Sequence, residues 1–206
     1  MSTSPLSFDP LVVQNLLGHT FLDVGCGHGK WGYLLKTYRW SSDKPVEVTG
    51  IDLFEPHIRS LEARGIYDHL RVASAVKLPF ADQSFDSAVA CEVLEHLDQN
   101  DGPRLIAELK RVCRMSFVVT TPNFPCLRGG GDTMDGFNEY EAHRHNFLYA
   151  EFRGLGLTQI HGIGFKTPSY KLSRALSGFG AFFPRRSRYL AGFWFADGKR
   201  RVLEIE

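Results

Sequence analysis

The chain has 206 residues, with 24 Lys and Arg against 23 Asp and Glu, a formal net charge of +1. That balance gives no strong field toward nucleic acid, and a chain of this length buries a core without staples, favouring one domain over residues 1–206. Cys26, Cys91, Cys113 and Cys126 are irregularly spaced with no C-x-x-C pair, which argues against a zinc knuckle or a disulfide framework and for reduced thiols in a cytoplasmic setting.

Residues 1–10 carry Pro5 and Pro10, lack the pattern of a signal peptide, and read as a flexible lead-in. Leu11–Leu17 reads as a short helix stopped by Gly18. Phe21–Val24 is a strand, Lys30–Tyr38 has helical spacing, and Val46–Leu53 is a second strand. Pro56–Arg64 reads as a helix closed by Gly65, Leu70–Ala73 as a weak strand, Phe85–Cys91 as a strand, Gly102–Arg111 as a helix and Phe117–Thr121 as a strand. Strand and helix alternate to this point, which predicts a parallel sheet covered by helices. Asn123–Asn146 then reads as a long polar loop, and residues 123–147 as an insertion or lid on the substrate side. Helices at 148–155 and 166–178, strands at 157–163 and 189–195, and an elaboration over 166–188 complete the expectation. No apolar run approaches the ~20 residues that cross a bilayer.

The segment FLDVGCGHGKWG carries the most chemistry. Gly25, Gly27 and Gly29 alternate directly after a strand, so the chain turns sharply and a ligand touches backbone there. The next helix aims its N-terminus at the same spot, which suits a carboxylate or phosphate. Gly27-His28-Gly29-Lys30-Trp31-Gly32 also matches G-x-G-x-x-G, so a nucleotide-dependent oxidoreductase is one reading. Its offset argues against that, because Gly25 already follows the strand, where a dinucleotide site makes its turn with the first fingerprint glycine. Asp23 either orients a ligand ammonium or holds the glycine loop by accepting backbone N–H bonds. Asp52, ending the second strand, either accepts both hydroxyls of a ribose or caps the helix after Pro56.

FLDVGCGHGKWG, GIDLFEP, LPFADQSFDSAVACEVLEHL and VVTTPN, in that order, resemble the successive motifs of class I S-adenosylmethionine-dependent methyltransferases. The small-molecule branch that includes ubiquinone-biosynthesis methyltransferases is nearest by pattern. The resemblance covers residues 18–125 and, more faintly, 139–165. It implies an α/β, Rossmann-like three-layer sandwich with a seven-stranded, mostly parallel sheet whose last strand is antiparallel. It further implies S-adenosylmethionine as cofactor and methyl transfer to an O, N or C atom of a small-molecule acceptor. By position, Gly25, Cys26, Gly27 and Gly29 would line the methionine end with Asp23 alongside. Asp52 would bind the ribose, Leu53 would pack on the adenine, and Ser74 and Ala75 would lie at its edge. Cys91 and Glu92 would border the methyl group, with Glu92 a candidate catalytic residue. Ser74 departs from the acidic residue often found there. A non-catalytic module that keeps only the cofactor site shares all these features.

Methyl transfer from a sulfonium requires mainly positioning, and a base only where the acceptor loses a proton. His143 in NEYEAHRHNF is the candidate base, and Arg144 a candidate anchor for an acceptor carboxylate or phosphate. His96 in VLEHL reads as a structural residue near the fourth strand. No metal is assigned, since nothing fixes the spacing of His143, His145 and Cys126. FGAFFPRRSRYL pairs aromatic with basic residues, a pattern of membrane surfaces or, more plainly, of a lid or solvated turn. No basic stripe interleaved with aromatics marks a nucleic-acid partner.

Overall fold

Strands buried on both faces need apolar residues at consecutive positions, and FLDV, SAVAC and SFVVTT supply them. The computed structural model describes residues 9–38, 44–166, 180 and 182–199. In chain order the elements are α1 (Asp9–Asn15), β1 (Thr20–Val24), α2 (Lys30–Tyr38), β2 (Glu47–Asp52), α3 (Glu55–Glu62), β3 (His69–Val72), β4 (Phe85–Cys91), α4 (Asp101–Val112), β5 (Cys113–Pro122), β6 (Gly131–Thr133), β7 (Gly136–Asn138), α5 (Tyr149–Arg153), β8 (Gln159–Phe165) and β9 (Ser187–Phe195). Seven strands form one sheet in the order β3-β2-β1-β4-β5-β9-β8. The β3-β2-β1-β4-β5 run is parallel, whereas β9 is antiparallel to both β5 and β8. The expected sheet is therefore present, with the last strand reversed.

The period-2 alternation of the strands divides the core into two layers. Leu22, Val24, Ala88, Ala90, Phe117 and Val119 face α4, whose Leu105, Ile106, Leu109 and Val112 form one apolar stripe. Phe21, Val89, Cys91 and Val118 face the other way, onto Leu11, Val12 and Leu16 of the α1 region and Trp31 and Leu35 of α2. Among the described residues no helix is long and apolar enough to cross a membrane.

Two expectations need revision. The stretch 123–146 is not a plain loop: β6 and β7 pair as a hairpin, followed by a 3-10 turn at Glu139–Glu141. Strands of three residues are too short to show a period-2 pattern, and the turn is fixed locally instead. Thr133 Oγ1 donates to the Gly136 carbonyl at 2.8 Å, and Gly136 has φ 108°. The lead-in is also shorter than expected, because Asp9 and Pro10 already begin α1. Residues 1–8 and most of the helix expected at 166–178 lie outside the described residues.

At the sheet edge opposite the strand C-termini, Asp86 ties three strands together. Its Oδ2 accepts from the His19 and Thr20 amides at 2.8 and 3.1 Å, and its Oδ1 accepts from Arg114 Nε and Nη2 at 3.0 and 2.9 Å. Those bonds outweigh partial burial and hold the carboxyl down at about 2. Because the folded value lies below the unfolded one, the stability Asp86 contributes is present above about pH 4 and fades as pH falls toward 2. Asp86→Asn is expected to lower stability at neutral pH by about 2 kcal/mol. In urea unfolding followed from pH 6 to pH 2, the gap between wild type and variant should close; a constant gap would contradict this account.

Candidate cofactor-binding and active site

After Val24 the chain reverses through Gly25, Gly27 and Gly29, with φ of 69°, 49° and 88°. These are left-handed conformations that a Cβ opposes. The end of β2 holds the turn. Gly25 and Cys26 both donate their amides to the Ile51 carbonyl, at 2.8 and 2.9 Å, and Gly27 donates to Asp52 Oδ2 at 2.9 Å. A Cβ on Gly25 would stand 2.7 Å from Val93 Cγ2, and one on Gly29 2.6 Å from Leu61 Cδ2. On Gly27 it would meet nothing within 4 Å, so Gly27 faces open space.

Gly32, which completes the G-x-G-x-x-G match, has a different reason to be glycine: the Tyr67 ring occupies the place of its side chain. The Gly32 amide donates to the Tyr67 hydroxyl at 3.2 Å, and that hydroxyl donates to Asp23 Oδ2 at 2.6 Å. The fingerprint match is thus a packing requirement of Tyr67, and the first turn belongs to Gly25.

A cavity of about 330 Å³ opens over the C-terminal ends of β1 to β4, where ligands bind in open α/β sheets. Of the residues expected around the cofactor, Gly25, Gly27, Asp52, Leu53, Ser74, Ala75 and Cys91 are on its wall, and so is Glu92. Three lie behind the wall. Asp23 is fully buried against Tyr67, Cys26 turns its side chain into a cluster with Ile58 and Leu61, and Gly29 packs on Leu61. Asp23 therefore supports the loop from below through Tyr67, and burial raises its carboxyl to about 7. The helix-cap reading of Asp52 does not hold, because Phe54 caps α3 without a side-chain bond. Asp52 Oδ1 accepts instead from the Phe54 amide at 2.9 Å. Its Oδ2 also faces His57 Nδ1 at 3.4 Å, while Oδ1 keeps a further lone pair for a ligand. Leu53 is 44% exposed, an apolar surface on the cavity rim. Ser74 Oγ accepts from the Val76 amide at 3.4 Å.

Glu92 sits at φ 56°, a conformation seldom taken by a residue with a side chain and concentrated at functional sites. Thr120 Oγ1 donates to its Oε1 at 2.8 Å, while burial pushes the carboxyl up to about 7. His143 is not on the wall. Its Nδ1 lies 3.2 Å from Cys126 Sγ, and burial, with His96 and Arg128 adding, pushes it down to about 4. His96, expected to be structural, instead lines the cavity from a 3-10 turn at Leu94–His96, edge-on to His143 at 4.8 Å between ring centroids. Its Nδ1 is 3.2 Å from the Ala142 carbonyl, which only accepts, so Nδ1 carries the proton and Nε2 the lone pair. His145 turns to Glu151 at 2.8 Å, away from Cys126 and His143. His57, Asp98 and Asp101 complete the wall without having been singled out in the sequence. His57 stands alone on its helix, and DQND reads as a solvated turn.

The family described as methyltransferase domain matches residues 22–116. The chain is 35% identical over 105 residues to O-methyltransferase resE of Aspergillus sclerotiorum, covering 47% of this chain and 36% of that protein. It is 32% identical over 118 residues to a probable S-adenosylmethionine-dependent methyltransferase of Mycolicibacterium smegmatis, covering 56% and 43%. The chain thus spans less than half the length of these relatives. A solved structure of a SAM-dependent methyltransferase from Methanosarcina mazei shares the fold with a TM-score of 0.60 at 20% identity, over 89% of this chain and 96% of that one. Sheet topology, glycine turn and these likenesses together are those of an α/β domain similar to methyltransferases. Over residues 22–116 and in its fold the chain resembles class I S-adenosylmethionine-dependent methyltransferases, and S-adenosylmethionine is the cofactor that this likeness indicates.

The geometry separates two glycines experimentally. Gly27→Ala meets no clash, so it should cost only the left-handed strain of about 1–2 kcal/mol, yet place a methyl group in the cofactor's space and weaken S-adenosylhomocysteine binding more than tenfold. Gly25→Ala should cost more stability, because Val93 stands 2.7 Å from the new atom. Urea unfolding and calorimetric titration of both variants check this; equal losses of stability would contradict it.

Proposed function

We propose that the chain transfers the methyl group of S-adenosylmethionine to a hydroxyl oxygen of an uncharged or cationic small molecule. The observation that carries this reading is the charge of the cavity wall. Asp52, Glu92, Asp98, Asp101 and Glu141 line it against, among the described residues, a single guanidinium, that of Arg144, which lies 3.7 Å from Asp98. Such a wall repels a pyrophosphate or a nucleic-acid backbone and favours a sulfonium with its ammonium group. It therefore speaks against a dinucleotide-dependent oxidoreductase and against nucleic acid as acceptor. The naming of resE as an O-methyltransferase supports oxygen as the methylated atom.

The bound cofactor supplies a methyl group already activated by positive sulfur. Gly25 and Gly27 would leave backbone free to touch its amino-acid end, Asp52 would accept from the ribose, and Leu53, Ser74 and Ala75 would hold the adenine. The acceptor enters on the side of β4 and residues 138–144. There His96 Nε2, kept neutral by burial, would accept the proton of an acceptor hydroxyl. His143 acts from behind as a positioning residue, fixing the His96 ring. Glu92, with its Thr120 bond, orients the acceptor from the end of β4.

A methyl-transfer screen with labelled S-adenosylmethionine against hydroxylated small molecules tests this, with Asp52→Ala as the binding control. His96→Gln should lower kcat by about 10²–10⁴-fold while S-adenosylhomocysteine affinity stays within twofold. Equal labelling by wild type and Asp52→Ala would end the cofactor assignment. Preferential labelling of an oligonucleotide would end the acceptor assignment.

A further inference from the structure

We propose that His28, His57 and Asp135 form a binding site for a zinc-class divalent cation that pins the β6–β7 hairpin to the glycine turn. The three residues come from three separate segments: His28 from the turn after β1, His57 from α3, and Asp135 from the hairpin loop. One donor atom from each lies within 4.8 Å of the other two, and since two bonds of about 2 Å reach at most about 4 Å, the three side chains would draw slightly closer around an ion.

Four side-chain atoms of this cluster have no hydrogen-bond partner among the described residues. His57 is 1% exposed, and its Nε2 has no hydrogen bond among the described residues. The same holds for both ring nitrogens of His28 and for Asp135 Oδ2, although His28 Nδ1 and Asp135 Oδ2 approach to 3.3 Å. Buried polar atoms left unpaired are costly, and a group of them facing one point calls for a shared partner. The His28 and His57 rings meet edge-on, with centroids 4.7 Å apart, instead of stacking.

The surroundings suit a metal. His57 Nδ1 lies 3.4 Å from Asp52 Oδ2, and a carboxylate on one ring nitrogen fixes the tautomer that leaves the other nitrogen's lone pair for a metal. Two imidazoles with one carboxylate select zinc or cobalt over magnesium or calcium, whose ligands are oxygens. Three protein ligands leave a fourth position open. The site is separate from the acceptor chemistry, but Asp52 touches both, so an ion here stiffens the ribose carboxylate and draws the hairpin, with Asn138 at its end, over the cavity.

Zinc chloride titrated calorimetrically into the chelator-stripped full chain tests the site, with cobalt absorption and thermal unfolding as further readouts. One zinc per chain is expected, with a raised melting temperature. Asp135→Asn, an isosteric change on the hairpin loop, and His28→Gln should each weaken binding at least about tenfold, with circular dichroism unchanged. Glu95, His96 and His143 also bring donor atoms within 4.8 Å of one another, so His143→Gln is the necessary control and should leave zinc affinity unaltered. Absence of saturable zinc binding, or a loss confined to His143→Gln, or one shared equally by all three variants, would overturn the proposal. Zinc binding needs no cofactor, so this outcome is read independently of methyl transfer.

Discussion

The carbonyl of Ile51 and the carboxylate of Asp52 organise the whole cavity. Between them they accept three successive amides of the turn after β1, those of Gly25, Cys26 and Gly27. A sharp reversal exposes backbone N–H groups that the preceding strand no longer satisfies, and a buried turn tolerates few orphans. The neighbouring strand solves this by ending just where the turn begins. One consequence is that Asp52 is not a free arm waiting for a ligand. It is held by Gly27 and Phe54 on either oxygen, and a ribose would meet a carboxylate already fixed in direction, so little ordering remains to be done on binding.

The alternating glycines look equivalent in the sequence but are constrained by different things. Gly25 answers to Val93, Gly29 to Leu61 and Gly32 to Tyr67, whereas only Gly27 answers to the space a ligand would fill. Tyr67 links these demands to the interior. Its hydroxyl bridges the Gly32 amide and Asp23, a carboxyl whose burial leaves it reluctant to ionise. The apparent dinucleotide fingerprint is therefore a coincidence of a turn and a tyrosine.

Much of this was legible in the residues. The strands FLDV and SAVAC and the amphipathic 101–112 helix announce themselves through burial periodicity, because central parallel strands and helices facing a sheet leave little freedom of pattern. The glycine turn and Asp52 were legible because both are short-range requirements of backbone geometry. What escaped was set by contacts distant in sequence. His96 belongs to the cavity only because residues 138–144 return beside it, with the Arg144 amide donating to the Glu95 carbonyl at 2.7 Å. His143 reads as the candidate base in the sequence, yet an antiparallel bridge to Arg128 draws it behind His96. His57 and Tyr67 carry no local signal of a site, although the helix that holds His57 is itself legible.

The segment after β5 is consequently better understood as a second wall than as an insertion. It is tied down at both ends and in the middle. Asn123 donates its side-chain amide to the Ser187 carbonyl and accepts from the Tyr149 amide, and Asn146 accepts from the Cys126 amide. The bridge between Arg128 and His143 closes the loop on itself, and Glu95 accepts two of its amides. Each anchor is a polar side chain or backbone group meeting backbone, the kind of bond that fixes an irregular path without a regular ladder. Such a wall keeps its course when the residues between anchors change. The glycine turn, by contrast, is held residue by residue, so the two walls of the cavity are built on different constraints.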